Sequence, residues 1–266
     1  MGLLTRAQPA VSLRLRAERV IPWLPVLLYH RVAPELPAQD PFGNFTSCDA
    51  FAAHLRWLQA GGWRSVSLGQ IAVALAGGPA LPSRAVALTF DDGYRDTFEH
   101  AWPLLRQHGF KATVFMVSGA VGGDSSFDSG AGYEPSPMLS ADEIRFMHSA
   151  GVEFGSHTRS HPESLPRLGD DLLGDELAGS RRDLEAILDS PVDVFAYPHS
   201  RHDERVEKAV IAAGYRLACA GTGTRLEPAC VNRVLPPADG EGSLAGSIRW
   251  RRLKWHARRW KRSGAA

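Results

Sequence analysis

Ala85-Val86-Ala87-Leu88-Thr89-Phe90-Asp91-Asp92-Gly93 is the stretch that decides the fold. It opens with an apolar run of strand length and strand-forming composition, as in a parallel strand buried on both faces. The run stops abruptly at two carboxylates and a glycine. In open α/β sheets and α/β barrels the active site lies at the carboxyl ends of the strands. The stretch therefore predicts both a parallel α/β architecture and its functional edge. Consecutive residues at a strand end point to different sides, so Asp91 and Asp92 can take different roles. Gly93 permits a turn that a residue with a Cβ resists. Adjacent carboxylates repel each other unless a positive charge lies beside them, and a metal ion supplies one.

A second cluster repeats the pattern. Val152-Glu153-Phe154-Gly155 reads as a short strand, and Ser156-His157-Thr158-Arg159-Ser160-His161 follows at its end. His157 and His161 are four residues apart, so one helical turn or a tight loop brings both imidazoles to one centre. Pro162 disfavours helical backbone at His161. Two imidazoles and one carboxylate, with a position left for water, are the donor set of a catalytic divalent metal. The remaining aspartate is then available as a general base. Each cluster alone has an ordinary explanation, a turn for Asp-Asp-Gly and surface exposure for the histidines. Both at predicted strand ends of one chain point to hydrolysis by a metal-activated water.

Strands are expected near 26–30, 85–90, 112–117, 152–156, 193–197, 216–220 and 232–235. Ser47 and Ser67 are N-cap candidates for helices that carry Phe51, Leu55 and Leu58, and Leu68, Ile71 and Leu75. Residues 97–108 predict a helix started or kinked by Pro103 and closed by Gly109. Ser140-Ala141-Asp142-Glu143 has the form of a capping box, and Gly151 follows the helix it starts. Residues 171–189 and 203–213 are further helices. The alternation predicts a single α/β domain, a distorted (β/α) barrel of about seven parallel strands. A length of 266 residues suits it, and 44% apolar and 22% charged residues are ordinary for a folded domain.

Five segments in order carry a family resemblance: Pro25-Val26-Leu27-Leu28-Tyr29-His30-Arg31-Val32, Thr89-Phe90-Asp91-Asp92-Gly93, Lys111-Ala112-Thr113-Val114-Phe115, the Ser156–His161 cluster and Phe195-Ala196-Tyr197-Pro198. The set resembles the polysaccharide deacetylases of carbohydrate esterase family 4, the NodB-homology domain, over roughly residues 24–236. The resemblance implies removal of acetyl groups from N-acetylated sugars, usually with zinc. It makes Asp92, His157 and His161 the metal ligands and Asp91 the base. It sets Tyr197, Pro198 and His199 against the substrate, with a backbone N–H of that turn at the oxyanion.

Two departures stand out. The family's third motif is Arg-Pro-Pro-Tyr-Gly-like, and here Ala196 replaces its arginine and Ser200 its glycine. The charge that orients the base must come from elsewhere. Arg233, ahead of the strand-like Val234-Leu235, and Arg31 are the candidates. The family's closing Leu-x-His, its source of a general acid, is missing after residue 200. Some relatives open with a similar Tyr-His and look circularly permuted. By that resemblance His30 is the acid that protonates the leaving amine, with a hydrogen-bonded core histidine as the alternative. His148 and His202 read as surface or helix residues.

Residues 118–138, rich in Gly, Ser, Asp and Pro, form a long loop after a strand end. They should border the catalytic face and offer Phe127, Tyr133 and Met138 to a sugar ring, or else be a surface insertion. From Arg249 to Arg262 there are eight Lys or Arg and no acid, so the rest of a chain of formal charge +1 carries −7. Trp250, Leu253, Ala257 and Trp260 fall on one helical face. That pattern fits a helix on an anionic membrane surface, with a frayed tail as the alternative, and nucleic acid is not expected. The expected organisation is an extension over 1–23, a catalytic domain over 24–245 and a basic Trp-rich tail over 246–266.

Arginines at 6, 14, 16 and 19 leave no apolar run of signal-peptide length, and no stretch has the composition of a membrane span. Cys48, Cys219 and Cys230 are odd in number, as expected of reduced thiols in the cytoplasm. A cytoplasmic enzyme at the inner membrane face would meet a lipid-linked or nucleotide-linked sugar, or a growing exopolysaccharide. Two other readings compete: a same-fold hydrolase of a non-sugar amide, and an inert carbohydrate-binding relative. The lost arginine and the missing Leu-x-His favour the inert reading; the intact Asp91, Asp92, His157 and His161 oppose it.

Overall fold

The computed structural model describes residues 24–131, 134–238 and 241–263. The chain runs β1 (Val26–Tyr29), β2 (Arg31–Ala33), β3 (Phe45–Ser47), α1 (Cys48–Ala60), β4 (Arg64–Ser65), α2 (Leu68–Leu75), β5 (Ala85–Phe90) and α3 (Trp102–His108). It continues through β6 (Thr113–Met116), α4 (Ala141–Ser149), β7 (Glu153–Ser156), α5 (Asp170–Gly174), α6 (Ser180–Leu188), β8 (Val194–Ala196) and α7 (Glu204–Ala212). It ends with β9 (Leu217–Thr222), β10 (Leu226–Glu227), β11 (Cys230–Arg233) and α8 (Glu241–Ser263). Strands β1, β5, β6, β7, β8, β9 and β11 lie side by side, each parallel to the next. Val234 closes the ring: its N–H donates to the Val26 carbonyl at 2.7 Å, and its carbonyl accepts the Leu28 N–H at 2.9 Å. The expected barrel and its seven parallel strands are present. The β2–β3 pair, β4 and the antiparallel β10 are too short for sequence periodicity to announce them.

Alternation along the strands builds two buried layers. Val86, Leu88 and Phe90 face the helices, together with Leu27, Tyr29, Val114, Phe154 and Phe195. Ala85 and Ala87 face the barrel interior, with Val26, Phe115, Val194, Leu217, Cys219 and Val231. Phe115 fills the interior so completely that a Cβ on Gly155 would lie 2.6 Å from its ring and 2.7 Å from Val194. The interior is closed at the opposite end by α2, whose Leu68 and Gly69 N–H groups each donate to the Glu153 carboxylate at 2.8 Å.

Local signals set most helix ends. Ser47 caps α1, and Ser67 and Ser140 form capping boxes on α2 and α4. The predicted 97–108 helix begins with a π segment, Thr97–Ala101, before α3. Pro103 crowds the carbonyl four residues back and has no N–H, so the turn widens there. The predicted 171–189 helix is likewise split into α5 and α6 by a π segment at Asp175–Gly179. Residues 118–138 are not a bare loop: they include short 3₁₀ turns at Ser118–Ala120 and Ser126–Ala131. Met138 is buried and pairs with Tyr94 through its backbone, which corrects its expected exposure to sugar. Tyr133 lies outside the described residues.

Helix α8 starts at Glu241, so the expected boundary at 246 falls inside it. Leu244 and Ile248 are buried in the outer core, and Arg251 donates to the Gly223 carbonyl at 3.0 Å. Trp250 and Leu253 are 58% and 64% exposed, and Lys254 lies 4.8 Å over the Trp250 ring. The expected extension over 1–23 and the side chains of Ala257 and Trp260 lie outside the described residues. All three cysteines are free thiols. Among the described residues, no helix is long and apolar enough to cross a membrane.

Candidate active site

The inward series of the barrel strands decides which side chains meet. Ala85, Ala87 and Thr89 are followed in that series by Asp91; the equivalent next residues are His30 after β1, His157 after β7 and Arg233 at the end of β11. All four line one cavity of about 270 Å³ at the carboxyl ends of the strands. Asp92 breaks the alternation with φ of 72°, and Gly93 follows at 85°, so the turn swings the Asp92 carboxylate back towards the barrel axis. Oδ1 of Asp92 lies 3.3 Å from His157 Nε2 and 3.5 Å from His161 Nε2. His157 Nδ1 donates to the Ala196 carbonyl at 2.8 Å, which fixes the ring with Nε2 facing Asp92. These buried donors converge closely enough that Asp92, His157 and His161 could hold a divalent metal ion.

Arg233 sets a positive charge against Asp91. It is 1% exposed, and its guanidinium grips Asp91 bidentately at 2.6 and 2.7 Å. Its Nε donates to the Ala220 carbonyl at 2.9 Å, and Thr89 Oγ1 accepts a further bond at 3.2 Å. A register shift between Asn232 and Arg233 marks the position where the side chain is aimed across the barrel. Arg31 is not at the base, which corrects that candidate. It begins β2, bonds Asp96 at 2.8 Å and stacks between the Phe45 and Tyr94 rings at 4.5 Å each. Burial alone would raise the Asp91 carboxyl, but Arg233 and His157 outweigh it and hold it below the ordinary range. Burial likewise opposes ionisation of Asp92, and the hydrogen bond from His157 outweighs burial and holds the carboxyl low. Burial pushes the His161 imidazole down to about 3, whereas Asp91 and Asp92 outweigh burial at His157 and raise it.

His30 is in the cavity, with Nε2 4.0 Å from Asp91 Oδ2. The 197–200 turn forms another wall, and His199 and Ser200 both have left-handed φ, 52° and 58°. The His199 ring lies 4.7 Å from that of His161, and burial lowers its pKa. Tyr197 reaches the cavity wall, but its hydroxyl donates to the Ala229 carbonyl at 2.7 Å and its ring stacks on His202 at 4.3 Å. Pro198 is buried at the start of the turn. Phe127 packs on the His161 ring at 4.9 Å.

The sequence profile of the polysaccharide deacetylases matches residues 78–218, more than half of the chain. The chain belongs to the polysaccharide deacetylase family. YxkH of Bacillus subtilis, itself assigned to the polysaccharide deacetylases, is 27% identical over 210 residues, 79% of this chain and 67% of its own length. A poly-β-1,6-N-acetyl-D-glucosamine N-deacetylase of Staphylococcus aureus is 24% identical over 179 residues, 63% of this chain and 59% of its own length. The chain thus spans about two thirds or less of these curated relatives. IcaB from Ammonifex degensii superposes with a TM-score of 0.70 at 27% identity, covering 85% of this chain and 97% of that one. Streptococcus pyogenes deacetylase PplD, solved with acetate, has a TM-score of 0.73 at 22% identity over the same shares, a likeness of fold. This deacetylase is a hydrolase of carbon–nitrogen bonds.

Sequence reasoning missed several cavity residues of the deacetylase: Phe42, Asn44, Asp128 and Ser200. Ser200 carried one signal, its place in the third motif. The others sit on irregular segments whose fold no periodicity encodes. His148 lies in helix α4, one of the two expected settings, whereas His202 lies in neither a helix nor an exposed position. His202 is half-buried beside Glu207 at 3.0 Å, and His148 bridges the Val152 carbonyl and Ser190 at 3.2 Å each. His202, Glu207 and Cys230 converge closely enough to form a second donor set, yet Arg225 already neutralises Glu207 bidentately at 2.7 and 3.0 Å.

Proposed function

We propose that this chain removes the N-acetyl group from an N-acetylated sugar in a polysaccharide or lipid-linked glycan. In this reading Asp91 is the general base, His30 the general acid, and Asp92, His157 and His161 hold a zinc-type ion. The observation that carries it is the buried Arg233–Asp91 pair beside three convergent donors. It sets an arginine from a different strand against Asp91, which answers one of the two grounds for an inert relative, the lost arginine. When bound, the ion supplies Lewis-acid polarisation of the carbonyl and a water acidic enough to ionise near neutral pH.

Arg233 keeps Asp91 ionised and fixed in orientation, ready to accept the attacking water's proton. His30, 4.0 Å from the same carboxylate, is positioned to protonate the leaving nitrogen as the C–N bond breaks to acetate and a free amine. Within the 197–200 turn, the Tyr197 N–H bonds Cys219, Pro198 has none, and the Ser200 N–H bonds Tyr197. That accounting makes the His199 N–H the donor this turn offers to a developing oxyanion. The name of the staphylococcal relative supports a β-1,6-linked N-acetylglucosamine polymer as the first substrate to try. The basic helix α8, with Trp250 and Leu253 outward, supports a place at the cytoplasmic face of an anionic membrane.

The test is acetate release from N-acetylglucosamine oligomers and lipid-linked N-acetylsugars by the zinc-reconstituted protein and by Asp91→Ala. Release by the parent that Asp91→Ala loses, with zinc still bound, supports the proposal. No release on any sugar despite one bound zinc per chain sends the assignment to a non-sugar amide.

A further inference from the structure

His157 and His161 differ at the ring nitrogen that faces away from Asp92. Nδ1 of His157 has the Ala196 carbonyl as partner. Nδ1 of His161 is buried and has no hydrogen-bond partner. The Asp128 carboxylate lies just out of reach, with Oδ1 3.9 Å from that nitrogen. Metal-ligating imidazoles almost always give their second N–H to a carboxylate, a carbonyl or water. The His161 ring has little freedom to find another acceptor: it is flanked by Phe127 at 4.9 Å and His199 at 4.7 Å, and the backbone N–H of the residue donates to Thr158 Oγ1 at 3.0 Å. Asp128 is fixed in turn. Tyr94 donates its hydroxyl to Oδ2, and the Asp128 backbone N–H donates to the Ser125 carbonyl at 2.9 Å.

We propose that Asp128 is the positioning residue of the ligand His161. A metal on Nε2 requires the Nδ1–H tautomer, and that N–H then donates to Asp128 Oδ1. Closing the gap draws the Ser126–Ala131 turn onto the site, so metal occupancy and the order of this turn are coupled in both directions. Charge supports the arrangement. Arg233 neutralises Asp91, which leaves Asp92 and Asp128 as two negative charges facing a dication. The inference rests on the metal-hydrolase reading above but assigns a residue that neither motif contains.

The test measures zinc affinity by competition with a chromophoric chelator, for the full chain and for Asp128→Ala, Asp128→Asn and Tyr94→Phe. Amide exchange over residues 124–131 is followed with and without zinc. Asp128→Ala should weaken zinc by about 10–100-fold, the usual effect of removing such a partner. It should also abolish zinc-induced protection of the Ser126–Ala131 turn. Asp128→Asn, which accepts the same N–H without the charge, should fall between parent and Asp128→Ala, as should Tyr94→Phe. Equal zinc affinity in parent and Asp128→Ala, both folded by circular dichroism, overturns this inference and leaves the metal site standing. A raised KM at unchanged zinc affinity overturns it too, since Asp128 would then touch substrate. A parent that binds no zinc overturns both readings.

Discussion

Asp91 and Asp92 are chemically identical and consecutive, and the backbone alone separates their roles. Asp91 stays in the inward strand series and meets Arg233; Asp92, at φ 72°, turns to the imidazoles. Asp91→Asn should therefore lower kcat by about 10²–10⁴-fold, the worth of a general base, while one zinc per chain remains bound by metal analysis. Arg233→Met should move the acidic limb of the kcat/KM profile to higher pH. With the guanidinium gone, the histidines alone oppose burial, so the Asp91 carboxyl rises and the base is lost earlier on acidification. A pH–rate profile reads this directly, and an unmoved limb would reject Arg233 as the group that tunes the base. At this scale the candidate donors were legible because each motif sits beside a strand end. Arg233 emerged only as one of two candidates, and Asp128 did not emerge, because its partners are 34 and 33 residues away in Tyr94 and His161.

At the scale of elements, caps were the clearest signals because they are local hydrogen bonds. Ser140 and Glu143 close a capping box on α4, so Ser140→Ala should cost about 1 kcal/mol in urea unfolding with activity unchanged. The π segments were not legible beyond the kink at Pro103, since a widened turn depends on what the helix packs against. Helix α8 has two faces with different fates. Leu244 and Ile248 are buried, whereas Trp250 and Leu253 point out among basic side chains. Trp250→Ser with Leu253→Ser should abolish sedimentation with phosphatidylglycerol vesicles and leave the melting temperature unchanged. Vesicle binding equal to that of the parent would remove the membrane assignment of the helix.

For the molecule as a whole, the decisive event is closure of the strand ring. Val234 bonds β1, and Arg233 beside it ties β11 to Asp91 after β5. The proposed base and the barrel closure therefore share one buried ion pair. Removing one partner of such a pair typically costs about 3–5 kcal/mol, and Arg233→Met should lose stability of that order at neutral pH. The sign with pH follows from the lowered Asp91 pKa. The pair's contribution is present above the ordinary carboxylate value of about 4 and is lost as pH falls through the lower folded value. Melts of the metal-free proteins should thus differ most near neutrality and converge in acid; a constant gap would mean that lost packing, not charge, explains the defect.

The sequence by itself determined the seven barrel strands, most helix starts, the candidate metal donors and the carboxylate proposed as base, because these depend on patterns within a few residues. A buried strand announces itself by an unbroken apolar run, and a strand end by the polar residues that stop it. Tertiary structure decided which arginine grips Asp91, where the barrel closes and which carboxylate stands behind His161. Those outcomes depend on strand register, on the inward or outward parity of each strand and on the path of irregular segments. None of these is set until the strands have paired, because a shift of one residue in pairing exchanges every inward side chain for an outward one.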